Sequence, residues 1–516
     1  MLRGIVETFL ESLTEREFDA PLLALLAAQG FSDIHFIHGS FEFGKDVIAK
    51  RVDADTGELR QYAIQSKAGD IGQASWREIR PQLEESEYNT RAHPAYDASL
   101  PRVAVLLTTG RLKGAAAVDS QEFQASVKAR GLASFEVWER TTLTGWLAED
   151  PDTGLLGRPS AATLLSVVSD IENHAVTEPV LEHFTREWIP TGGDISARSV
   201  IEAAVLVNAL RRTERLDLAA LCALHLFRAA SGGTLDPGIN SRISDAARRL
   251  VLGIAAEILD EVEPLLANPL ELLRATAHPL AIAIYPVICC RTAEIIALLA
   301  IATDDSKIAA RARSAVEALA ARHPGTLRPI SDQFAVSALP VVIVLNSISP
   351  IMARAYVRSL ADWLLDRYDP QKAGLGLAAL DETEAVAIAR LLGGALDVVD
   401  IDRRLSSYLA AVILDLCVLL GAGELYDVFL DNLNALRVVA TMEAADETTA
   451  NWRRGGQGVH MHPVVTYKPW GADLPSHHGW AVATSSRDAL LLTASCRSRH
   501  YPEQIRASLA DQSMRT

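Results

Sequence analysis

Three polar residues stand on two short apolar runs near the start of the chain. Asp46 opens the run DVIA at residues 46–49, and Gln65 and Lys67 end the run YAIQSK at residues 62–67. Two such strands, joined as a hairpin, would bring a carboxylate, an amide oxygen and an ammonium group to one place. An acid, a second oxygen ligand and a lysine together are what metal-dependent hydrolysis of a phosphodiester requires.

Each of these groups has a distinct expected role. Asp46 would be the main carboxylate ligand, Gln65 would add a neutral amide oxygen, and the backbone carbonyl of Ser66 would be a further ligand. Asp19, on the preceding amphipathic helix, would direct a second carboxylate toward the same sheet edge. Lys67 lies on the same strand face as Gln65, since side chains repeat every two residues, and would orient water and stabilise developing charge. Hard oxygen ligands of this kind suit Mg²⁺ or Mn²⁺.

Hydrophobic periodicity and turn residues predict the elements that must position these side chains. The predicted helices cover residues 14–29, 75–88 (interrupted or kinked at Pro81), 113–130 and 141–147, and the predicted strands cover residues 34–37, 46–51, 61–67, 103–107 and 135–138. The first three strands form a meander, and helices and strands alternate after it. This order indicates an α/β domain with a mixed sheet.

The same stretches, in the same order, resemble the core of the PD-(D/E)XK nuclease superfamily. More narrowly, they resemble the Mrr-type restriction endonucleases and their Holliday-junction-resolvase relatives, a group that often has Gln-x-Lys in place of Glu-x-Lys. The resemblance covers about residues 10–150 and rests on EFD at 17–19, GF at 30–31, GKDVIA at 44–49, YAIQSK at 62–67, TTGRL at 108–112 and FEVWERTTL at 135–143.

The resemblance implies an α/β PD-(D/E)XK nuclease core, a mixed sheet flanked by helices, followed here by a mostly α-helical array. It implies that Asp46, Gln65, Lys67 and Asp19 are the catalytic residues. It also implies that Asp46, Gln65, Ser66 and Asp19 bind the metal. The helix acid of this family is usually a glutamate, so Glu15 and Glu17 are alternatives to Asp19.

Four residues are candidates for contact with nucleic acid: Lys45, Arg77, Gln82 and Arg111, with Arg80 a further candidate for a phosphate contact. Solvated surface charge is the alternative interpretation of each. The charge balance of the N-terminal 150 residues, 16 Lys and Arg against 23 Asp and Glu, disfavours tight unassisted binding of DNA. The chain as a whole, with a net charge of −16, is not a basic nucleic-acid coat, although a local basic groove is compatible with that total.

The rest of the chain divides by composition into three parts. Residues 149–160, rich in Pro, Gly and acids, are the predicted linker after a domain at residues 1–150. Residues 160–450 are an Ala- and Leu-rich α-helical region with short turns, which predicts an antiparallel array or solenoid. Residues 451–516 are rich in His and Gly, but the spacing of His460, His462, His477, His478, Cys496 and His500 matches no ordinary zinc module, which favours a polar loop or a partner-contact surface.

Cysteine usage and hydropathy predict a cytoplasmic protein without a membrane partner. The five cysteines (Cys222, Cys289, Cys290, Cys417 and Cys496) show no CxxC spacing, and four lie in apolar runs that predict buried, reduced thiols. Residues 333–353 carry no charge, yet Pro340, Pro350 and several polar residues favour buried helix and loop over a membrane span. The chain has no P-loop sequence, so nothing in it indicates nucleotide hydrolysis.

Taken together, the sequence predicts a cytoplasmic, Mg²⁺-dependent DNA endonuclease with a D…QxK site, and the resemblance points to restriction or anti-phage defence. The helical region would provide homo-oligomerisation, a protein partner or recognition of a trigger. Two alternatives remain open. The nuclease fold could be catalytically inactive and act as a nucleic-acid-binding or assembly module, or the helical region could be a scaffold or sensor with the primary role.

Overall fold

The computed structural model describes residues 3–37, 45–54, 56–88, 94–149, 161–189, 197–231, 237–275, 281–379, 382–392, 402–441, 467–471 and 486–496. Residues 150–160 of the predicted linker lie outside this part of the chain, as do His460, His462, His477, His478 and His500. Two compact units are formed, one from Met1–His174 with Ser196–Ala209 and one from Ala175–Ile195 with Leu210–Thr516. Helix 161–172, which follows the predicted linker, belongs to the first unit.

The first unit contains a mixed five-stranded sheet. Its strands are β1 (Ser32–Phe36), β2 (Val47–Val52), β3 (Leu59–Lys67), β4 (Arg102–Thr108) and β5 (Ser134–Trp138), in the spatial order β1-β2-β3-β4-β5. The first three strands form an antiparallel meander, and β3, β4 and β5 run parallel to one another. The prediction of a mixed sheet flanked by helices is confirmed at this level.

The helices of the first unit follow the predicted order with one addition. They are α1 (Arg3–Ser12), α2 (Glu15–Ala28), α3 (Gln73–Tyr88), α4 (Ala115–Arg130), α5 (Arg140–Glu149) and α6 (Ala161–Glu172). The sequence interpretation did not include α1. Helix α2 begins with a capping box between Thr14 and Glu17, and Gly30, just beyond its end, has a φ of 79°. Helix α3 continues through Pro81 without interruption.

Aromatic side chains mark the two buried faces of this sheet. Trp76 of α3 and Phe123 of α4 pack with Phe135 of β5, and the ring centroids of Phe123 and Phe135 are 4.9 Å apart. Trp138 alternates to the opposite face, where it contacts Tyr62 at 6.1 Å between ring centroids. Because both faces are covered, β3 and β4 are almost entirely buried, and their ends are held in fixed positions.

Beyond residue 174 the described chain is almost entirely helical. The helices are α7 (Glu178–Thr185), α8 (Ala197–Arg212), α9 (Leu216–Ser231), α10 (Pro237–Val262), α11 (Pro269–Ala275), α12 (Ala281–Ala302), α13 (Ser306–Arg322), α14 (Ala338–Ile348), α15 (Pro350–Tyr368), α16 (Glu384–Leu392), α17 (Tyr408–Leu419), α18 (Gly423–Leu436) and α19 (Ser486–Cys496). Single 3₁₀ turns lie at Arg186–Trp188, Glu263–Leu265, Pro324–Leu327, Asp332–Phe334 and Pro370–Lys372, and β6 (Ser406–Ser407) pairs in parallel with β7 (Val439–Ala440). The mostly helical remainder that the sequence predicted is therefore present.

The most apolar segments of the second unit are core helices. Of the described helices, one is long and apolar enough to cross a membrane by length and composition, Ile284–Ala302, and 67% of its most apolar window is buried inside the protein. That burial is typical of a core helix. The uncharged residues 333–353 fold as a 3₁₀ turn, the buried helix α14 and the first turn of α15, in agreement with the prediction of buried helix and loop.

The predicted buried thiols are also present. Cys222, Cys289, Cys290 and Cys417 are free and buried. Burial raises the pKa of the Cys289 thiol to about 12 and that of Cys417 to about 12. The side chain of Cys496 lies outside the described part of the structure.

A single buried carboxylate organises the segment around α17. Asp332 is fully buried, and its Oδ2 accepts hydrogen bonds from the backbone N–H of Tyr408 at 2.9 Å and from Arg404 at 2.6 Å. Its Oδ1 accepts from the N–H of Leu409 at 2.9 Å and from the Ser407 hydroxyl at 3.1 Å. A negative charge stabilises the first turn of a helix, and for α17 this charge comes from Asp332, which is distant in the sequence.

Asp332→Asn should destabilise the second unit by about 3 kcal/mol, because it leaves Arg404 without its buried partner and places an amide against backbone donors. The measurement is the urea concentration at the midpoint of unfolding of the second unit. Asp366→Asn is the matched control. Its carboxylate lies 2.5 Å from Lys372 but is 48% exposed, so its loss should cost less than about 1 kcal/mol. Equal effects of the two substitutions would contradict the organising role of Asp332.

Candidate functional site

Asp46 and Gln65 meet at the point where β2 begins. The register of β2 and β3 ends with Val47 opposite Ile64, and the N–H of Asp46 also donates to the carbonyl of Ile64 at 2.9 Å, which places Asp46 beside Gln65, the next residue of β3. The Oδ2 of Asp46 accepts a hydrogen bond from the side-chain amide of Gln65 at 2.8 Å. Gln65 is 4% exposed, whereas Asp46 is half-buried. The two polar groups predicted to converge therefore do so.

Ser66 belongs to the same cluster through its backbone. Its N–H donates to the Oδ2 of Asp46 at 2.7 Å. In a strand the N–H and C=O of one residue point to the same neighbour, so the carbonyl of Ser66 also lies on the Asp46 side of β3. The Ser66 hydroxyl lies on the sheet face opposite to that of the Gln65 side chain, where it is buried and has no hydrogen-bond partner among the described residues. The predicted role of Ser66 as a carbonyl ligand is compatible with this orientation.

Lys67 lies at the end of β3, on the same sheet face as Gln65. Its Nζ is 3.0 Å from the Oε1 of Glu15, the first residue of α2, and its side chain is 27% exposed. An acid from α2 thus contacts the predicted catalytic lysine. Glu15 was an alternative to Asp19 in the sequence interpretation.

The other two acids at the start of α2 have different surroundings. Glu17 closes the capping box, where its carboxylate accepts from the backbone N–H of Thr14 at 2.9 Å. Asp19 is half-buried and follows Glu15 by four residues, so both lie on the same side of α2. The role of Asp19 as a metal ligand stays a prediction.

The candidates for nucleic-acid contact differ in accessibility. Lys45 is fully buried, with its ammonium 5.7 Å from the centre of the Tyr96 ring, and burial lowers its pKa to about 8. No solvent-accessible surface remains on the Lys45 side chain in this conformation, and its contact with DNA phosphate stays a prediction. Arg77 and Arg111 are exposed and Gln82 is half-buried, so their contacts with nucleic acid stay predictions.

The turns that follow β3 and β4 are packed directly against each other. The Thr108 hydroxyl donates to the carbonyl of Gly69 at 2.6 Å, and the N–H of Gly69 donates to the hydroxyl of Thr109 at 2.9 Å. The N–H of Thr109 also donates to the carbonyl of Lys67 at 3.2 Å. A Cβ built on Gly110 would lie 2.1 Å from the carbonyl carbon of Gly69, so only glycine fits there. Lys67 is thus followed at once by a rigid backbone junction.

Asp70 ties this junction to neighbouring cations. It accepts from the backbone N–H of Arg111 at 2.9 Å and pairs with Lys113 at 2.5 Å. The hydrogen bond from Lys113 is the main reason that the pKa of Asp70 lies below its ordinary value. Arg140 also contacts Asp70, at 3.5 Å. Asp70 was not singled out from the sequence, and Arg140 entered only as part of the FEVWERTTL stretch, without a role. Asp70 follows Lys67 by three residues, but this spacing does not show which residues Asp70 contacts.

The donor set around Asp46 is of a kind that binds hard cations. A carboxylate, a side-chain amide and a backbone carbonyl are oxygen ligands preferred by Mg²⁺ and Mn²⁺. The nitrogen of the Gln65 amide faces the carboxylate here, so a cation at Asp46 would require the amide to rotate and present its oxygen. With that rotation, the residues fit a divalent metal. No family model, curated protein or solved structure matches this chain, so the functional assignment depends on its own residues.

Gly110→Ala should destabilise the first unit by about 2 kcal/mol or more, because the new methyl group collides with backbone that has no room to move. The test is the thermal or urea midpoint of the first unit. Gly145→Ala, on helix α5, meets no atom within 4 Å and should be neutral or stabilising by about 0.5–1 kcal/mol. A Gly110→Ala protein as stable as Gly145→Ala would show that the two turns are not in firm contact.

Proposed function

We propose that this chain is a divalent-metal-dependent DNA endonuclease whose site is formed by Asp46, Gln65, Ser66 and Lys67. The observation that carries the proposal is the 2.8 Å contact between the Asp46 carboxylate and the Gln65 amide, with Lys67 two residues further along the same strand face. The mixed sheet with an antiparallel meander supports the proposal, since it has the arrangement implied by the resemblance to PD-(D/E)XK nucleases. Fold alone does not establish activity, so the argument depends on the site.

The residues divide the chemistry between them. A bound Mg²⁺ or Mn²⁺ would polarise the phosphate and make the attacking water more acidic. Asp46, Gln65 and the Ser66 carbonyl would hold that ion. Lys67 is accessible to solvent and would orient the water and stabilise negative charge developing on the phosphate oxygens. Glu15 holds the ammonium of Lys67 at the end of β3, and this keeps the charge next to the metal ligands before substrate binds.

The biological setting is proposed from the resemblance and from composition. The resemblance to Mrr-type enzymes implies a role in restriction or anti-phage defence. Four buried free thiols are consistent with the reducing conditions of a cytoplasm. The net charge of −7 over the first 150 residues gives little general attraction for DNA. The helical region would therefore bind a second copy of the chain or a protein partner, and this partner would bring DNA to the site.

The negative net charge of the first 150 residues and the burial of Lys45 also favour a second candidate. This candidate is a nuclease fold that no longer cleaves DNA. Such a protein would act as a nucleic-acid-binding or assembly module, or as a scaffold or sensor through its helical region. The two candidates differ in one measurable property. An enzyme nicks plasmid DNA in a reaction that depends on a divalent ion and on Asp46, whereas an inactive module does not.

Asp46→Asn and Lys67→Met should each lower cleavage of supercoiled plasmid in Mg²⁺ or Mn²⁺ by roughly 10³-fold while leaving circular dichroism unchanged. Asp33→Asn and Lys128→Met are the matched controls. Asp33 is an acid on the edge strand β1 paired with Lys50 at 2.8 Å, and Lys128 is an exposed lysine on α4. Both controls should cleave at the wild-type rate. Wild-type cleavage by folded Asp46→Asn would exclude the proposed site.

Gln65→Glu should be less stable than the wild type without metal and should regain stability when Mg²⁺ is added. The substitution places a second carboxylate about 2.8 Å from Asp46 in a buried position, and the two charges repel each other unless a cation lies between them. The melting temperature with and without Mg²⁺ measures this effect, and the variant should cleave at lower Mg²⁺ concentration than the wild type. A melting temperature that does not respond to Mg²⁺ would argue against a cation at this position.

A further inference from the structure

Arg140, the first residue of α5, joins three segments that are distant in sequence. Its Nε donates to the carbonyl oxygen of Thr109 at 2.9 Å, and its Nη2 lies 3.5 Å from the Oδ1 of Asp70. Its Nη1 is paired with Glu11 of α1, and its own backbone N–H donates to the carbonyl of Gly110 at 2.9 Å. The side chain is only 12% exposed. The planar guanidinium serves these acceptors from three different nitrogens, whereas an ammonium group would have to reach them all from a single nitrogen.

The contacts of Arg140 lead directly to the backbone of Lys67. Thr109, whose carbonyl accepts from Arg140, donates its own N–H to the carbonyl of Lys67 at 3.2 Å. The hydroxyl of Thr109 accepts from the N–H of Gly69, two residues beyond Lys67. Arg140 therefore fixes Thr109, and Thr109 fixes the backbone on which the ammonium of Lys67 is carried.

The arginine also limits the movement of the turn after β3 from its other side. Asp70 is held by Arg140 and by Lys113, and its Oδ1 accepts from the N–H of Arg111. The turns after β3 and β4 are therefore joined twice, once through Thr109 and once through Asp70. Displacement of either turn would move Lys67, the residue that directly follows the Gln65 and Ser66 contacts with Asp46 on β3.

We propose that Arg140 is a positioning residue that holds Lys67 in register with Asp46 and Gln65 across the ends of β3 and β4. The proposal rests on the proposed function of that site for its effect on cleavage. The structural part of the proposal is that the guanidinium keeps the hydrogen bonds of Thr109 and Gly69 formed. This part does not depend on the proposed function.

The test uses the full-length protein carrying Arg140→Lys, with Arg130→Lys as the matched control. Arg130 lies at the end of α4 and contacts Ser126 within its own helix, so its replacement should change neither readout. Two quantities are measured: hydrogen–deuterium exchange of the backbone, and the kcat and KM for plasmid cleavage. Arg140→Lys should raise exchange by tenfold or more in peptides that contain Gly69 and Thr109, and leave the peptide that begins β2 unchanged.

For cleavage, Arg140→Lys should lower kcat by about 10–100-fold, the range found when groups that orient active-site residues are removed. KM for DNA should stay within about twofold, because Arg140 is largely buried and acts on Lys67 rather than on the substrate. A loss of folded protein in general would lower kcat in proportion to the folded fraction and raise exchange in every peptide. The combination of a local rise in exchange and a kcat effect is therefore specific to positioning.

Thr109→Val tests the same path with a smaller change. It removes the hydroxyl that accepts from Gly69 but keeps the carbonyl that accepts from Arg140, so exchange should rise at Gly69 alone, with a smaller loss of kcat. If Arg140→Lys does not fold, this variant still tests the step from Thr109 to Lys67, because a wild-type kcat together with raised exchange at Gly69 would show that these contacts do not hold Lys67 in place. Unchanged exchange at Gly69 in Thr109→Val would overturn the proposal.

The outcomes separate this proposal from the proposed function. If the wild type cleaves DNA and Arg140→Lys matches it in kcat, the positioning role is wrong even though the chain is a nuclease. If the wild type does not cleave, a local rise in exchange in Arg140→Lys supports the positioning role while the nuclease proposal fails. Absence of that rise overturns the positioning role in either case.

Discussion

The carboxylate of Asp46 accepts, from Ser66, the hydrogen bond that a backbone carbonyl would accept if β2 continued. Before this point β2 and β3 form an antiparallel ladder, and beyond it, among the described residues, β3 pairs with a strand on one side only, that of β4. The remaining side of the strand is therefore lined by a charged side chain. A buried N–H without an acceptor costs free energy, so Asp46 both ends the ladder and makes that ending stable. In the proposed function, Gln65 and the carbonyl of Ser66 would bind the metal at this end of the ladder.

The parts of the site that could be predicted are those controlled by strand periodicity. Residues at alternate positions share a face, so Gln65 and Lys67 were expected together, and the hairpin predicted that Asp46 would lie close to them. The choice among the acids of α2 could not be made this way. Glu15 and Asp19 are four residues apart and share one side of the helix, so only the packing of α2 against the sheet shows which of them contacts Lys67. The burial of Lys45 likewise depends on Tyr96, 51 positions further along the chain.

The same distinction holds for the fold. The end of α2 at Gln29 and Gly30 and the five strands were predicted because their signals are local. These signals are a glycine beyond the helix and, for the strands, short apolar runs separated by turn residues. The contacts of Arg140 with Glu11, Asp70 and Thr109 join positions up to 129 residues apart, and no local pattern indicates them. Asp332 is comparable in the helical unit, since it caps a helix that begins 76 residues later. Buried charged groups that link distant segments are thus the main features that the sequence leaves undetermined.

All five cysteines of the chain lie beyond residue 209, so the segments that form the first unit contain no thiol. The four that are described are buried, and thiolate is the reactive form, so the raised pKa of these groups makes them slow to react in the folded state. A thiol reagent therefore reports opening of the helical unit and is silent about the sheet. It also follows that a single cysteine introduced on the exposed surface of the first unit would react before these four buried thiols, so a spectroscopic label could be attached beside the candidate site without modifying them.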